Sequence, residues 1–181
     1  SSDVSFDTVG EAGDIRVKTG TLSLTYGAQL STSALGSGNA GNIFIEARDS
    51  VTLDGINGNY ISGIQSNLLT DAVGKSGDIQ IATGVLSVTN GAAIFAGTNG
   101  QGDAGNITIN ARDKVTISGF DTSLGFPSNI STTGGSNSVG NGGDIRINTG
   151  ELLVKNGSDF STSYFGKGNA GYIFLDVRDN S

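Results

Sequence analysis

The chain contains no His, Cys, Met or Trp, and a single proline. Without His or Cys there is no Ser-His-Asp or Cys-His nucleophile, no thiolate metal site and no redox dithiol, so any metal would have to be held by oxygen. Cationic charge is scarce as well. Ten Lys and Arg stand against 17 Asp and Glu, a formal charge of −7. Such a surface repels a phosphate backbone, which argues against nucleic acid as a partner. No apolar run reaches the length of a membrane span, so membrane insertion is not expected. Ser1 to Val4 do not read as a signal peptide. Gly, Ser, Thr and Asn together supply 85 of the 181 residues, while only 35% are hydrophobic and 7% aromatic. Composition alone would suit a disordered chain. The order of the residues argues otherwise.

Gly13-Asp14-Ile15-Arg16-Val17 returns as Gly77-Asp78-Ile79-Gln80-Ile81 and as Gly143-Asp144-Ile145-Arg146-Ile147, at spacings of 64 and 66 residues. Between these copies lies a sister motif, Gly41-Asn42-Ile43-Phe44-Ile45. It recurs at Gly105-Asn106-Ile107-Thr108-Ile109 and Gly171-Tyr172-Ile173-Phe174-Leu175 with the same two spacings. Two unit types therefore alternate, a short one of 28 residues and a long one of 36 or 38. The whole chain, 1–181, reads as one repeat domain with units 13–40, 41–76, 77–104, 105–142 and 143–170 and partial units at both ends.

Each unit holds three short segments in which apolar and polar residues alternate with period two, a strand signal. In the first short unit these are Ile15 to Lys18, Leu22 to Thr25 and Ala28 to Thr32; no stretch sustains a helical period. A four-residue strand buries too little alone, but stacked in register on its copies it builds a continuous core. Ile15, Ile43, Ile79, Ile107, Ile145 and Ile173 form one expected inward column, with Val17, Ile45, Ile81, Ile109, Ile147 and Leu175 as the next. Leu22, Val51, Leu86, Val115 and Leu152 line the second face. The prediction is an all-β parallel β-helix, a solenoid of three short strands per coil. About five coils at ~4.8 Å each give a rod roughly 25 Å long.

Corners are legible too. Gly36-x-Gly38-Asn39-Ala40-Gly41 recurs as Gly100-x-Gly102-Asp103-Ala104-Gly105 and Gly166-x-Gly168-Asn169-Ala170-Gly171. Glycine there permits tight turns and close stacking between coils. Asp14, Asn42, Asp78, Asn106 and Asp144 fall one coil apart. Like charges stacked at that pitch repel, so alternating Asp with Asn keeps hydrogen bonding and doubles the charge spacing.

Two stretches, Gly105-Asn106-Ile107-Thr108-Ile109-Asn110-Ala111-Arg112-Asp113 and Gly84-Val85-Leu86-Ser87-Val88-Thr89-Asn90-Gly91-Ala92, resemble the repeats of filamentous-haemagglutinin-like exoproteins. The likeness is to the cyanobacterial branch of the two-partner secretion family and covers nearly the whole chain. It implies a right-handed parallel β-helix, export through an outer-membrane barrel transporter, and an extracellular or cell-surface location. Adhesion or aggregation is the activity it implies. The family's amino-terminal secretion domain is not found, so the chain reads as repeat shaft of a longer polypeptide. Its expected partners are the rest of that polypeptide or other copies of itself, and surface glycans.

Several residue sets are candidates for more than structure. The long units carry inserts, Asp54 to Tyr60 and Ser118 to Asn129, at equivalent places two coils apart. Loops on a rigid scaffold often carry recognition. Tyr60, Phe120 and Phe126 could stack on sugar rings while Asp54, Asp121 and Asn129 bond hydroxyls; the alternative is a hydrophobic plug folding each loop onto its coil. Arg48-Asp49, Arg112-Asp113 and Arg178-Asp179 repeat at one corner, as a charged docking stripe or as a turn in which Asp bonds backbone amides and Arg pairs across coils. Arg16 with Phe44 and Arg146 with Phe174 are neighbours suited to cation–π stacking. Ser31-Thr32-Ser33, Ser131-Thr132-Thr133 and Ser161-Thr162-Ser163 raise an ice-binding face, interrupted by Gln65-Ser66 and Phe95-Ala96. Neither the Gly-Gly-x-Gly-x-Asp nonapeptide nor an EF-hand loop is present, so no metal or other cofactor is expected. Asp and Glu are scattered, so neither is catalysis. The expected role is an adhesive shaft displaying side loops, with end-to-end assembly through open coil ends and glycan binding by the inserts as alternatives.

Overall fold

A computed structural model describes residues 1–5, 9–122 and 125–178. Among them the strands are β1 (Ser2–Val4), β2 (Ile15–Thr25), β3 (Gln29–Ala34), β4 (Ile43–Asp54), β5 (Ile56–Asn57), β6 (Tyr60–Ile61) and β7 (Gly63–Leu68). They continue with β8 (Ile79–Thr89), β9 (Ala93–Thr98), β10 (Ile107–Ser118), β11 (Asn129–Gly134), β12 (Ile145–Lys155), β13 (Asp159–Tyr164) and β14 (Ile173–Val177). No helix occurs among the described residues. Two six-stranded parallel sheets run in the orders β1-β3-β7-β9-β11-β13 and β2-β4-β8-β10-β12-β14. Within the two sheets each strand pairs with its counterpart in the next coil, so the chain is a parallel β-helix.

The repeat sets the register. Ile43 stands between Ile15 and Ile79, Ile107 between Ile79 and Ile145, and Val51 between Leu22 and Leu86. The aliphatic columns point inward and merge into one core, within which Ile43, Ile79, Ile107 and Ile145 are fully enclosed. The first two alternating segments of each coil run on as a single strand that turns the corner through a bulge. Gly20, Gly84 and Gly150 lie opposite two residues of a long coil, Arg48-Asp49 or Arg112-Asp113, and the register shifts across each pair. That extra residue bends the strand and separates the first face from the second.

A third corner is closed by single parallel bridges, Val9 to Ser37 to Val73 to Gln101 to Val139 to Lys167. Gly38, Gly74, Gly102, Gly140 and Gly168 have φ between 145° and 157°. A Cβ on any of them would run into the carbonyl of the glycine one coil earlier. Glycine is therefore required twice over at this corner, by backbone angle and by contact.

The third face departs from the aliphatic pattern. Its inward positions include Thr32, Ser66, Ala96, Thr132 and Thr162, so the threonine runs do not form an outward array: Thr32 and Thr132 are buried. Each hydroxyl satisfies the neighbouring corner. Thr32 donates to the Gly41 carbonyl at 2.6 Å, Thr132 to Gly143 at 2.6 Å and Thr162 to Gly171 at 2.9 Å. Ser66 accepts the Gly77 amide at 2.8 Å. At the Ala96 rung Ser76 takes over, donating to the Gly97 carbonyl. A buried carbonyl without a partner costs about 1–3 kcal/mol, so these hydroxyls hold the corner to the core. The adjacent inward column reads Ala34, Leu68, Thr98, Gly134, Tyr164. Its last ring lies over Gly134, where a Cβ would collide with it. The Tyr164 hydroxyl is buried without a hydrogen-bond partner.

Two hydroxyl deletions should therefore move stability in opposite directions. Thr132→Val keeps the shape and orphans the Gly143 carbonyl, lowering unfolding free energy by about 1–3 kcal/mol. Tyr164→Phe removes an unpaired group and should leave stability equal or raise it by roughly 1 kcal/mol. Urea unfolding followed by far-ultraviolet circular dichroism reads both.

Candidate functional site

The inserts gather on one corner. Thr25, Asp54, Thr89, Ser118 and Lys155 are consecutive rungs, and the chain leaves each of them into a loop on that corner. Short coils close with a two-residue turn. Tyr26-Gly27, Asn90-Gly91 and Asn156-Gly157 all take positive φ at both residues, 54° and 80°, 55° and 88°, 55° and 79°. Ala28, Ala92 and Ser158 complete the turns by donating their amides to Thr25, Thr89 and Lys155 at 3.1–3.3 Å. Asn tolerates this left-handed backbone because its short amide bonds locally; an aromatic residue there is a conformational outlier.

Long coils replace the turn with an insert that lies back on the neighbouring turns. In the first, β5 and β6 pair as an antiparallel hairpin, Ile56 with Ile61 and Asn57 with Tyr60. In the second, Phe120 bridges Pro127, and the Asp121 amide donates to the Phe126 carbonyl at 2.8 Å. Both inserts end on a buried serine. Ser62 accepts the Gly27 amide at 2.9 Å, and Ser128 accepts the Gly91 amide at 2.9 Å. Ile56 and Asp121 approach Gly91 so closely that a Cβ there would lie 2.9 and 2.8 Å from them.

The six candidate ligand residues of the inserts thus separate by role. Tyr60, Phe120 and Phe126 are 68%, 50% and 48% exposed on this corner. Asp54 is turned to its own coil stack, accepting from the Thr89 hydroxyl at 2.6 Å and from Asn90 Nδ2 at 2.7 Å. Asn129 begins β11 on the third face and accepts from the Ser131 hydroxyl at 3.2 Å. The Asp121 carbonyl accepts from the Gly125 amide at 2.8 Å, which rounds off the loop. Ser123 and Leu124 lie outside the described residues. Sequence reasoning missed Tyr26, which is 84% exposed, and the two anchoring serines. Alignment of Tyr26-Gly27 with Asn90-Gly91 and Asn156-Gly157 was the available signal for Tyr26.

A polar groove of about 490 Å³ runs along the glycine-rich corner between two side-chain ladders. In the first, Asp14 Oδ1 accepts the Asn42 amide at 2.9 Å, Asn42 that of Asp78 at 2.8 Å, Asp78 that of Asn106 at 2.8 Å and Asn106 that of Asp144 at 2.9 Å. At the Asp-to-Asn steps the asparagine side chain donates back to the carboxylate at 3.1 Å. The second ladder joins Glu11, Asn39, Lys75, Asp103, Asn141 and Asn169, and its one mixed-charge step is a Lys75–Asp103 ion pair at 3.2 Å. The Asn42 amide holds the Asp14 carboxyl below its ordinary range, and the Asn141 amide does the same for Asp103, with Lys75 adding to it. From Asp14 to Asn106 and from Asn39 to Asn141, nearly every rung's side-chain oxygen faces a backbone donor of the next coil, while Glu11 faces the Asn39 side chain, which makes this groove a structural seam.

Arg48 does not reach across coils. It binds its own neighbour Asp49 through Nε at 2.9 Å and Nη2 at 2.8 Å, and that guanidinium holds the Asp49 carboxyl low. Arg112 and Asp113 are 3.9 Å apart, and Arg178 does cross, to the Arg112 carbonyl at 3.4 Å. Asp179 lies outside the described residues. Arg16 and Arg146 each stack 4.1 Å from the ring centroids of Phe44 and Phe174 and pair with Asp14 and Asp144 at 2.9 Å. Among the described residues no group of three or more acidic side chains could hold a metal ion, and no helix is long and apolar enough to cross a membrane. Comparison with protein-family models, curated proteins and solved structures finds no match.

Because the folded pKa values of Asp14 and Asp103 are depressed, their contribution is full above the ordinary carboxylate range, near 3.9, and is lost as pH falls through the lowered values. Melting temperature should hold from neutral pH to about 4 and fall below it. Asp103→Asn keeps an Oδ1 acceptor and should flatten part of that fall, whereas Asp103→Ala should cost about 1–2 kcal/mol at neutral pH.

Proposed function

We propose that this chain is a rigid adhesive shaft at a cell surface or in the extracellular space, and that its insert-bearing corner is the surface that meets other matter. In this reading it performs no covalent chemistry. The observation that carries the reading is the contrast between two parts of one molecule. Two six-stranded ladders repeat coil after coil, while the elaborations at Asp54–Ile61 and Ser118–Pro127 fall on one corner and leave aromatic rings in solvent. A stack of that kind resists bending because each coil is tied to its neighbours by main-chain hydrogen bonds and a shared core. The resemblance to filamentous-haemagglutinin-like exoproteins supports the same role and location by analogy alone.

Replacing both inserts with the Asn-Gly turn of the short coils separates the parts. The rod should keep its circular dichroism spectrum and melt no lower than the parent. Beads coated with the parent should attach to bacterial cells, and beads coated with the insert-free rod should not. Equal attachment by both would refute the corner's role, and bead clumping without cells would favour association of copies.

A further inference from the structure

We infer that the insert-bearing corner binds a neutral polysaccharide laid along the rod axis, with Tyr26 and Tyr60 as its stacking platforms; this rests on the adhesive reading and specifies its ligand. The first observation is Tyr26 itself. It holds φ at 54°, the angle that Asn90 and Asn156 hold at 55° in the equivalent turns. Asparagine is the low-strain residue there, and a bulky aromatic is not. The ring gains nothing from packing in exchange, since the residue is 84% exposed. Strain retained without a packing benefit points to use at the surface.

The second observation is the neighbour. The β5–β6 hairpin lies over the Tyr26-Gly27 turn, so that a Cβ on Gly27 would be 2.8 Å from the Tyr60 Cβ. Tyr60, 68% exposed, therefore stands directly against the Tyr26-Gly27 turn. Two exposed tyrosines side by side at this corner can offer electron-rich faces to a linear chain of flat units. Pyranose rings are such units: one face presents C–H groups to the aromatic ring, and the rim presents hydroxyls. Asn57 and Asn59 of the same hairpin are exposed beside Tyr60, and side-chain amides both donate to and accept from hydroxyls. Single rings spaced among amides are unlike the contiguous apolar patch of a protein-docking surface. The formal charge of −7 repels uronic acid and sulfated chains and selects neutral ones.

Native gel electrophoresis through hydroxyethylcellulose, galactomannan and xylan, with alginate as the acidic comparison, tests this directly. The parent chain should be retarded by at least one neutral polymer and not by alginate. Tyr26→Asn should raise the melting temperature, since it relieves the turn, while weakening retardation about tenfold. Tyr60→Ala should weaken it by a similar factor. Absence of retardation by any neutral polymer, retardation by alginate alone, or undiminished retardation of both variants would overturn the inference. The bead assay keeps the two proposals apart. If Tyr26→Asn beads lose cell attachment although no polysaccharide retards the parent, the adhesive reading stands and the glycan inference falls.

Discussion

Everything in this molecule follows from main-chain hydrogen bonding along one axis. Once Ile43 pairs with Ile15 and Ile79, every residue of a coil is fixed above its counterpart. A side chain then has two kinds of neighbour, those across the interior and those directly above and below. Across the interior the selection is for apolar volume. Along the axis it is for compatibility with a like residue at strand spacing. Aliphatic stacks meet both demands, and a stack of aspartates meets neither. Alternating Asp and Asn reconciles the glycine corner with the register.

The same constraint decides where variation can be placed. A coil cannot lengthen within a face without breaking two ladders, so extra residues go to corners. At the first corner one added residue makes the Arg48-Asp49 bulge opposite Gly20 and Gly84. At the second, whole loops emerge, and the amides of Gly27 and Gly91 bond Ser62 and Ser128 to hold them down. At the third, where glycine backbones touch, each long coil places two extra residues just ahead of the contact, in turns that Ala72 and Ser138 close by donating their amides to the Leu69 and Gly135 carbonyls. All three corners absorb length in the long coils, but only the second takes whole loops, and that is where exposed aromatic rings accumulate.

Most of the architecture is legible in the sequence because the repeat doubles as an alignment. Period-two alternation says which of Ile43 and Phe44 points inward, and the 64- and 66-residue spacings say what stacks on it. Legibility fails where alternation carries no hydropathy signal. In Ser131-Thr132-Thr133 the only inward marker is Ile130, one residue before the run, and a hydroxyl two positions on reads the same whether it points in or out. The second polar ladder mixes Glu11, Lys75 and Asp103 with Asn39, Asn141 and Asn169, and the charged rungs hide the asparagine that recurs on the others. Asp54 looked available to a ligand because nothing local claims a carboxylate at a strand end; its partners, Thr89 and Asn90, arrive from the next coil. Tyr26 was hidden by a backbone angle that one-dimensional reading does not show.

One inward column is unlike the others. Ala34, Leu68, Thr98, Gly134 and Tyr164 differ at every rung, with the bare glycine making room for the ring that follows. A solenoid built from near-identical coils faces a problem of address: a strand could pair with the wrong copy and still bury its isoleucines. Unequal volumes break that degeneracy. A coil displaced by one place would set Tyr164 against Thr98 instead of the hollow at Gly134, and the misfit would forfeit the packing that the repetitive columns leave indifferent. The column therefore acts as the serial number of the stack, giving each coil a position that the rest of its sequence does not specify.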